Sequence, residues 1–241
     1  MSGHSKWATT KRQKALVDAK RANIFTKLSN SIAIAAREGG TDINANFKLK
    51  IAVEKAKAAN MPKNNIERAI NRGSGKNNDA QLELLTYEGF GPEKLAVIVE
   101  CITDNRNRTV ANLKHIFNKH GGQLAPAGSV LWMFDRKGVV VSILKKPLDE
   151  NLELELIDAG ADNWEQNQTE PENKLIIYCE PSRMQKIATT LEKNNYQVIS
   201  NELEYIPKES IKIQDVNKWE AFIEDLEEND DVQNYFTNGQ N

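Results

Sequence analysis

Apolar residues recur at helical spacing along the first third of the chain. From Asp18 to Gly39 they fall on one arc of a helix, and Gly39-Gly40 supplies a stop signal. The same pattern predicts a second helix from about Asn44 to Asn60 and a third from Pro62 to Gly73. The predicted inward-facing residues are Ile24, Phe25, Leu28, Ile32, Ala35, Ala36, Leu49, Ala52, Val53, Ala56, Ile66, Ala69 and Ile70. Three such helices predict a small bundle.

Short apolar runs alternate with helical patterns after the bundle. The runs "LELLTYEGF" and "KLAVIVECIT" predict two strands, followed by the helix "RNRTVANLKHIFNKHGG" and the strand "GSVLWMF". A strand "KGVVVSI" and an acidic helix "DENLELELIDAGA" precede a similar series, "KLIIYCE", "PSRMQKIATTLEKNN" and "YQVISNELEYI". The helix "DVNKWEAFIEDLEENDD" and the strand "VQNYF" come last. This predicts two copies of a ferredoxin-like sandwich, with helices on one face of a mainly antiparallel sheet.

The predicted fold class is therefore α+β and multidomain, with an N-terminal three-helix bundle and two ferredoxin-like domains. The first sandwich lacks a second helix, which the C-terminal segment can supply, so the middle sandwich is an insertion. The predicted domains are residues 1–76, residues 80–134 with 205–241, and residues 135–204. The Gly-rich polar stretch from Gly73 to Gln81 is interpreted as the linker after the bundle.

Charge is distributed unevenly along this chain. The protein has 32 Lys and Arg against 34 Asp and Glu, yet residues 1–76 hold 16 basic and five acidic residues. The remainder therefore holds 16 basic and 29 acidic residues. Such asymmetry is typical of a module that binds a polyanion. The alternative is a set of lysine-rich helix faces that only meet solvent.

Most of the predicted phosphate contacts lie near the beginning of the sequence. The stretch "GHSKWATTKRQK" has no clear apolar stripe, and we interpret it as an arm that orders on contact with phosphates. Trp7 either stacks on a base or, as we favour, anchors the arm on the bundle. Basic side chains also form rows on the later helices: Lys48 with Lys55, Lys50 with Lys57, and Arg68 with Arg72. The predicted nucleic-acid-binding residues are Lys6, Lys11, Arg12, Lys14, Lys20, Arg21, Lys27, Arg106 and Arg108.

The segment "TDNRNRT", Thr103 to Thr109, joins a predicted strand to the start of a helix. Asp104 or Asn105 can cap this helix, and Arg106 and Arg108 then lie beside free backbone N–H groups at the positive end of the helix dipole. One interpretation is a phosphate-sized anion site. The other is a capped helix whose arginines pair with nearby acids, because arginines in a first turn run against the dipole's preference.

No residue pattern predicts catalysis. The three histidines lack metal-ligand spacing, and the "GSGKNN" stretch departs from a phosphate-binding loop at Ile70 and Asn77. The acid pairs Glu227-Glu228 and Asp230-Asp231 are interpreted as a solvated terminal charge run. We therefore predict a protein that is not an enzyme, with no metal, no cofactor and no small-molecule substrate.

The two cysteines give an indication of the cellular compartment in which the protein is expected to work. Cys101 and Cys179 lie in separate apolar runs, where they either form a disulfide or, as we favour, stay buried free thiols in a reducing compartment. The basic start is not followed by an apolar signal-peptide segment, and the longest apolar run is too short to span a bilayer. The expected location is cytoplasmic, with no membrane partner.

Eight stretches carry a resemblance to a known family: "GHSKW", "DAKRANIFTKL", "AAREGG", "NMPKNNIERAI", "YEGFGP", "TDNRNRTVANLKHIF", "GGQLAPAGSVLWMF" and "DDVQNYF". They resemble the YebC/PmpR family of probable transcriptional regulators, from Gly3 to about Phe236. The resemblance implies a helical bundle and two α+β domains, one of them discontinuous. It also implies one of two activities, since some members resemble DNA-binding regulators while others, including mitochondrial relatives, resemble translational activators at the ribosome.

We favour the interpretation that the protein is a non-enzymatic DNA-binding regulator, which contacts the phosphate backbone through the arm and the bundle. Two alternatives stay open. The first is an activator of translation that binds structured RNA on the ribosome, because shape and backbone recognition need the same side chains. The second is an acidic protein–protein adaptor built from residues 77–241. Nothing in the sequence specifies an oligomeric state.

Overall fold

The computed structural model describes residues 19–75, 82–144, 148–169 and 172–240, which contain seven α-helices and ten strands. Within these ranges the chain forms two compact units. One unit comprises residues 135–206, and the other comprises residues 19–75, 82–134 and 207–240. The predicted fold class is confirmed, because N-terminal helices are followed by modules with antiparallel sheets. The three-domain division stays a prediction beside these two units.

The N-terminal helices are α1 (Ala19–Gly39), α2 (Phe47–Ala58) and α3 (Lys63–Gly73). Their apolar faces form one core that includes Ile32, Leu49, Val53 and Ile66, as the helical spacing predicts. Glycine is required at Gly73, because a Cβ there would overlap the backbone carbonyl of Ala33 on α1. The bundle is therefore held partly by close backbone approach between its first and third helices.

Helix α2 begins later than the sequence pattern predicts, and Asn46 is the reason. Its side chain accepts a hydrogen bond from the Leu49 N–H at 3.0 Å, which makes it the N-cap. The same buried side chain donates to the carbonyls of Ala35 at 2.7 Å and Gly40 at 2.8 Å. One amide side chain thus ends the loop, starts α2 and ties α2 to the end of α1.

The first sheet contains β1 (Glu83–Phe90), β2 (Ala96–Thr103), β3 (Gln123–Ala125) and β9 (Val232–Thr237) in the order β3-β1-β2-β9. Strand β1 pairs antiparallel with β2 and β3, and β2 pairs antiparallel with β9. Helices α4 (Arg106–Lys119) and α7 (Val216–Glu228) pack together against this sheet. The C-terminal helix and strand therefore complete the first sandwich, and a two-residue pairing of β8 (Ile211–Lys212) with β10 (Gly239–Gln240) lies beside it.

Helix α1 packs against the first sheet as well as against the bundle. Ala33 and Ile34 form a small buried cluster with Leu82 and Ile102. Arg37 donates to the carbonyl of Leu82 at the same place. This contact makes the bundle and the first sandwich one compact unit.

The second unit contains β4 (Phe134–Ile143), α5 (Glu150–Ala159), β5 (Ala161–Thr169), β6 (Glu172–Cys179), α6 (Met184–Lys193) and β7 (Val198–Pro207). Its sheet order is β5-β6-β4-β7, and β6 pairs antiparallel with both β4 and β5. Successive residues of the central strands β4 and β6 are fully buried, which explains their continuous apolar runs. Both sandwiches have helices packed on a four-stranded sheet, but their strand orders differ. The two central strands are the consecutive strands β1 and β2 in the first sheet, and β6 and β4 in the second.

Candidate nucleic-acid interface

The structure describes part of the predicted interface. Lys6, Trp7, Lys11, Arg12 and Lys14 lie outside the described residues. Lys20 and Arg21 belong to the first turns of α1, although their side chains are also outside the description. Lys27, Arg106 and Arg108 are described, and all three contact other groups of the protein.

Lys27 lies where α1 meets the end of α7. Its Nζ donates to the carbonyl of Glu227 at 2.5 Å, and Asn23 Nδ2 on the same helix donates to the carbonyl of Glu228 at 2.6 Å. These carbonyls lie in the last turn of α7, where backbone acceptors lack helical partners and the dipole favours a cation. Lys27 therefore stabilises the docking of α1 on the first sandwich.

Arg108 is surrounded by oxygen acceptors of the protein itself. Its Nη2 lies 2.9 Å from Asp231 Oδ1, 3.1 Å from Asp104 Oδ1 and 3.2 Å from Thr103 Oγ1. The hydrogen bond to Asp231 raises the pKa of Arg108 above its usual value. Thr109 Oγ1 also donates to Asp231 at 2.8 Å, so this carboxylate accepts from two residues of the first turn of α4.

The sequence left two interpretations of this helix start, and the structure shows the arginines paired with acids. Asn105 caps α4 by accepting from the Arg108 N–H at 3.0 Å, and Arg106 forms an ion pair with Glu83. The carboxylate of Asp231 occupies the position beside the helix start where a phosphate was considered. Asp231 is only 6% exposed, so the interpretation of the pair Asp230-Asp231 as solvated is wrong for its second member. Binding of a phosphate to Arg106 and Arg108 stays a prediction.

A cleft of about 630 Å³ lies between the bundle and the start of α4. Two arginines line it, Arg72 from α3 and Arg108 from α4, and Arg72 Nη1 donates to Asn30 Oδ1 at 3.3 Å. Asp104, Asp230 and Asp231 line it too. Because carboxylates outnumber arginines on its walls, the cleft does not offer a polyphosphate the positive potential that it needs.

The outer faces of α2 and α3 carry exposed cationic side chains. Lys57 and Arg68 are exposed, and among the described residues no carboxylate forms an ion pair with either of them. Lys48 pairs with Glu38 at 3.0 Å, and Lys63 pairs with Glu67 at 3.7 Å, both in exposed positions. Such surface pairs contribute roughly 0–1 kcal/mol each and exchange readily with other ions. The rows of basic residues on the later helices were the signal for this surface in the sequence.

Glu88 is a polar residue whose role the sequence did not reveal. It is 3% exposed on strand β1, and its carboxylate accepts hydrogen bonds from the backbone N–H groups of Gly128 at 2.5 Å, Val130 at 2.7 Å and Leu131 at 2.9 Å. Hydrogen bonds to a charged acceptor are stronger than those between neutral groups. Glu88 therefore fixes the loop before β4. The sequence predicts a strand over "GSVLWMF" here, and that prediction is wrong before Phe134, because these hydrogen bonds hold residues 128–131 in a loop that leads into a 3₁₀ turn.

The fold and the interface define a class of protein, namely an α+β protein of several modules whose N-terminal helices carry cationic side chains. The chain belongs to the TACO1/YebC family. The family's N-terminal domain matches residues 5–76, and its second and third domain matches residues 82–239. These matches confirm the resemblance found in the sequence.

Named relatives match nearly the whole chain. A probable transcriptional regulatory protein of Thermoanaerobacter pseudethanolicus is 47% identical, over 99% of this chain and 96% of its own length. One of Caldanaerobacter subterraneus is 46% identical, over 99% and 98%. The crystal structure of a conserved hypothetical protein of Aquifex aeolicus is 38% identical and superposes with a TM-score of 0.81, covering 98% of this chain and 97% of that one. Within the described ranges, no helix has the length and apolarity needed to cross a membrane.

Proposed function

We propose that this protein is a non-enzymatic regulator of gene expression that binds DNA through the phosphate backbone. The names of its relatives, probable transcriptional regulatory proteins, support the regulatory role. The concentration of positive charge in residues 1–76 supports the location of the contact. A cationic head is also physically suited to this task, because its positive potential attracts a polyanion.

The observation that carries the proposal is the difference between the two groups of described cations. Lys57 and Arg68 are exposed on the bundle without a carboxylate partner in the described structure, whereas Lys27, Arg106 and Arg108 contact other groups of the protein. We therefore assign the main contact to the bundle surface and the preceding arm. Its residues are Lys57 and Arg68 together with Lys6, Lys11, Arg12, Lys14, Lys20 and Arg21. Lys27, Arg106 and Arg108 are proposed as weaker contacts, because a phosphate has to compete with their present partners.

Salt dependence tests this proposal directly. If about six phosphates are neutralised, log K for a labelled mixed-sequence DNA duplex falls with log salt at a slope near −5. The double variant Lys57→Gln with Arg68→Gln should reduce the magnitude of that slope by about 2, since each phosphate contact contributes about 1. Fluorescence anisotropy over a salt series measures both quantities.

A matched control removes two exposed charges elsewhere. Lys114→Gln with Lys193→Gln changes the net charge equally, but on α4 and α6. We expect it to leave the slope unchanged. Equal effects of the two double variants would show that only net charge matters and would overturn the assignment to the bundle.

A second probe separates the remaining alternatives. A structured RNA hairpin is titrated under the same conditions as the duplex. Tighter binding of the hairpin, with the same loss in the Lys57 and Arg68 variant, would replace DNA by RNA as the target while keeping the interface. Absence of salt-dependent binding to either probe would contradict nucleic-acid binding and favour the acidic adaptor.

A further inference from the structure

The short turn before β4 displays an exposed tryptophan. Trp132 lies in the 3₁₀ turn Leu131–Met133 and is 66% exposed. Its indole Nε1 donates to the carbonyl of Ser129 at 3.0 Å. The one polar group of the ring is therefore satisfied within the protein, and what the ring offers to a partner is its π-face.

The backbone that carries this ring is held in place. Glu88 accepts hydrogen bonds from three N–H groups of residues 128–131, and Val130 is fully buried beside the tryptophan. Phe134, which follows the turn, is buried as well. A ring on such a support loses little conformational freedom when a partner binds to it, which favours affinity.

A cation lies next to the same turn. Lys208 Nζ donates to the carbonyl of Trp132 at 2.9 Å, and the Lys208 N–H donates to the carbonyl of Met133 at 2.9 Å. Lys208 is itself exposed. The turn therefore carries an exposed aromatic ring and, at the backbone carbonyl of the same residue, an ammonium group. Single-stranded nucleic acids are recognised by this combination, the ring for a base and the ammonium for a phosphate, which here competes with the present partners of Lys208.

We infer that Trp132 is a stacking platform for an unpaired base, with Lys208 beside it for the adjoining phosphate. This inference rests on the proposed function and specifies its ligand further. Bases inside a duplex are stacked on one another and hide their faces, so the ligand of this site is a single-stranded or looped segment of nucleic acid. The site is separate in sequence from the cationic surface of α2 and α3.

The test uses the full-length protein and a labelled single-stranded oligonucleotide of mixed sequence. Trp132→Ala should weaken binding by about 5- to 100-fold, since stacking on one aromatic side chain has that magnitude. Trp132→Phe keeps an aromatic face and should retain most of the affinity. Leu154→Ala removes another exposed apolar side chain, in the other unit, and should have no effect.

Fluorescence supplies a readout that depends on the ring itself. A base stacked on Trp132 should quench its emission, so the wild-type protein loses fluorescence on saturation with the oligonucleotide. Trp132→Phe should bind with much less quenching. Unchanged affinity in Trp132→Ala, or equal quenching in Trp132→Phe, would overturn the inference and would favour a protein partner for this side chain.

The outcomes for this site and for the bundle are distinguishable. Loss of oligonucleotide affinity in the Lys57 and Arg68 double variant, with none in Trp132→Ala, overturns the stacking site and leaves the proposed function standing. Failure of the wild-type protein to bind the duplex, the hairpin or the single strand overturns both. Circular dichroism of each variant confirms that it is folded.

Discussion

The intramolecular partner of each basic side chain determines how readily that side chain can bind an external anion. Arg108 is committed to Asp231, a residue 123 positions away in the sequence. Lys27 is committed to a carbonyl 200 positions away. Local spacing therefore could not indicate these partners. The sequence did allow the interpretation that the arginines at the start of α4 pair with acidic residues.

The two cysteines are free and buried, as favoured from their apolar surroundings. Burial raises the pKa of Cys101 to about 12 and that of Cys179 to about 11. The reactive thiolate is therefore scarce at pH 8, and neither sulfur is accessible. We expect no alkylation by iodoacetamide at pH 8 in the folded protein and two modified thiols per chain after denaturation, as counted by mass spectrometry. Rapid labelling of the folded protein would contradict this burial.

At the scale of elements, periodicity predicts helices well and their exact ends less well. The three N-terminal helices appear where the apolar arcs place them, but α2 begins at Phe47 because the Asn46 side chain caps it there. Asparagine is common in loops, so its presence in the sequence does not by itself identify the N-cap. Asn46 is the N-cap because the carbonyls of Ala35 and Gly40 accept hydrogen bonds from its side chain and hold it in place.

Helix α7 is the element that completes the first sandwich. Its Phe222 is fully buried and meets Phe117 of α4 at a ring-centroid distance of 5.1 Å in an edge-to-face arrangement. Phe222→Ala should lower the free energy of unfolding by about 3–5 kcal/mol, because it removes a large buried side chain and leaves a cavity. Urea denaturation followed by circular dichroism measures the change.

A conservative control accompanies this variant. Phe222→Leu keeps most of the volume and should cost less than Phe222→Ala. Lys114 is exposed on α4, outside this core, so Lys114→Ala should change the stability little. A small effect of Phe222→Ala would show that the C-terminal helix contributes little to this module.

At the scale of the whole molecule, the chain leaves one compact unit and returns to it at adjacent points. The Lys208 N–H donates to the carbonyl of Met133 at 2.9 Å, just outside the unit of residues 135–206. An inserted unit whose two ends lie side by side can be removed without stretching the parent chain.

We therefore expect residues 135–206 to be replaceable by a short Gly-Ser linker. The remaining unit should unfold cooperatively, with a free energy of unfolding within about 1 kcal/mol of its value in the full protein, since closing a short loop costs little. Thermal denaturation of the shortened chain measures this, and its DNA affinity should match that of the full protein. Aggregation or a non-cooperative transition would contradict independence of the parent unit.

The sequence by itself determined the α+β class, the three-helix bundle, the layered modules and the uneven distribution of charge. Hydrophobic periodicity and composition are local properties, and burial of each apolar face follows from them. Only the tertiary structure decided the strand order of each sheet, the anchoring of the loop by Glu88 and the pairing of Lys27, Arg106 and Arg108 with distant groups. These features depend on contacts between residues far apart in the chain, which no local pattern encodes.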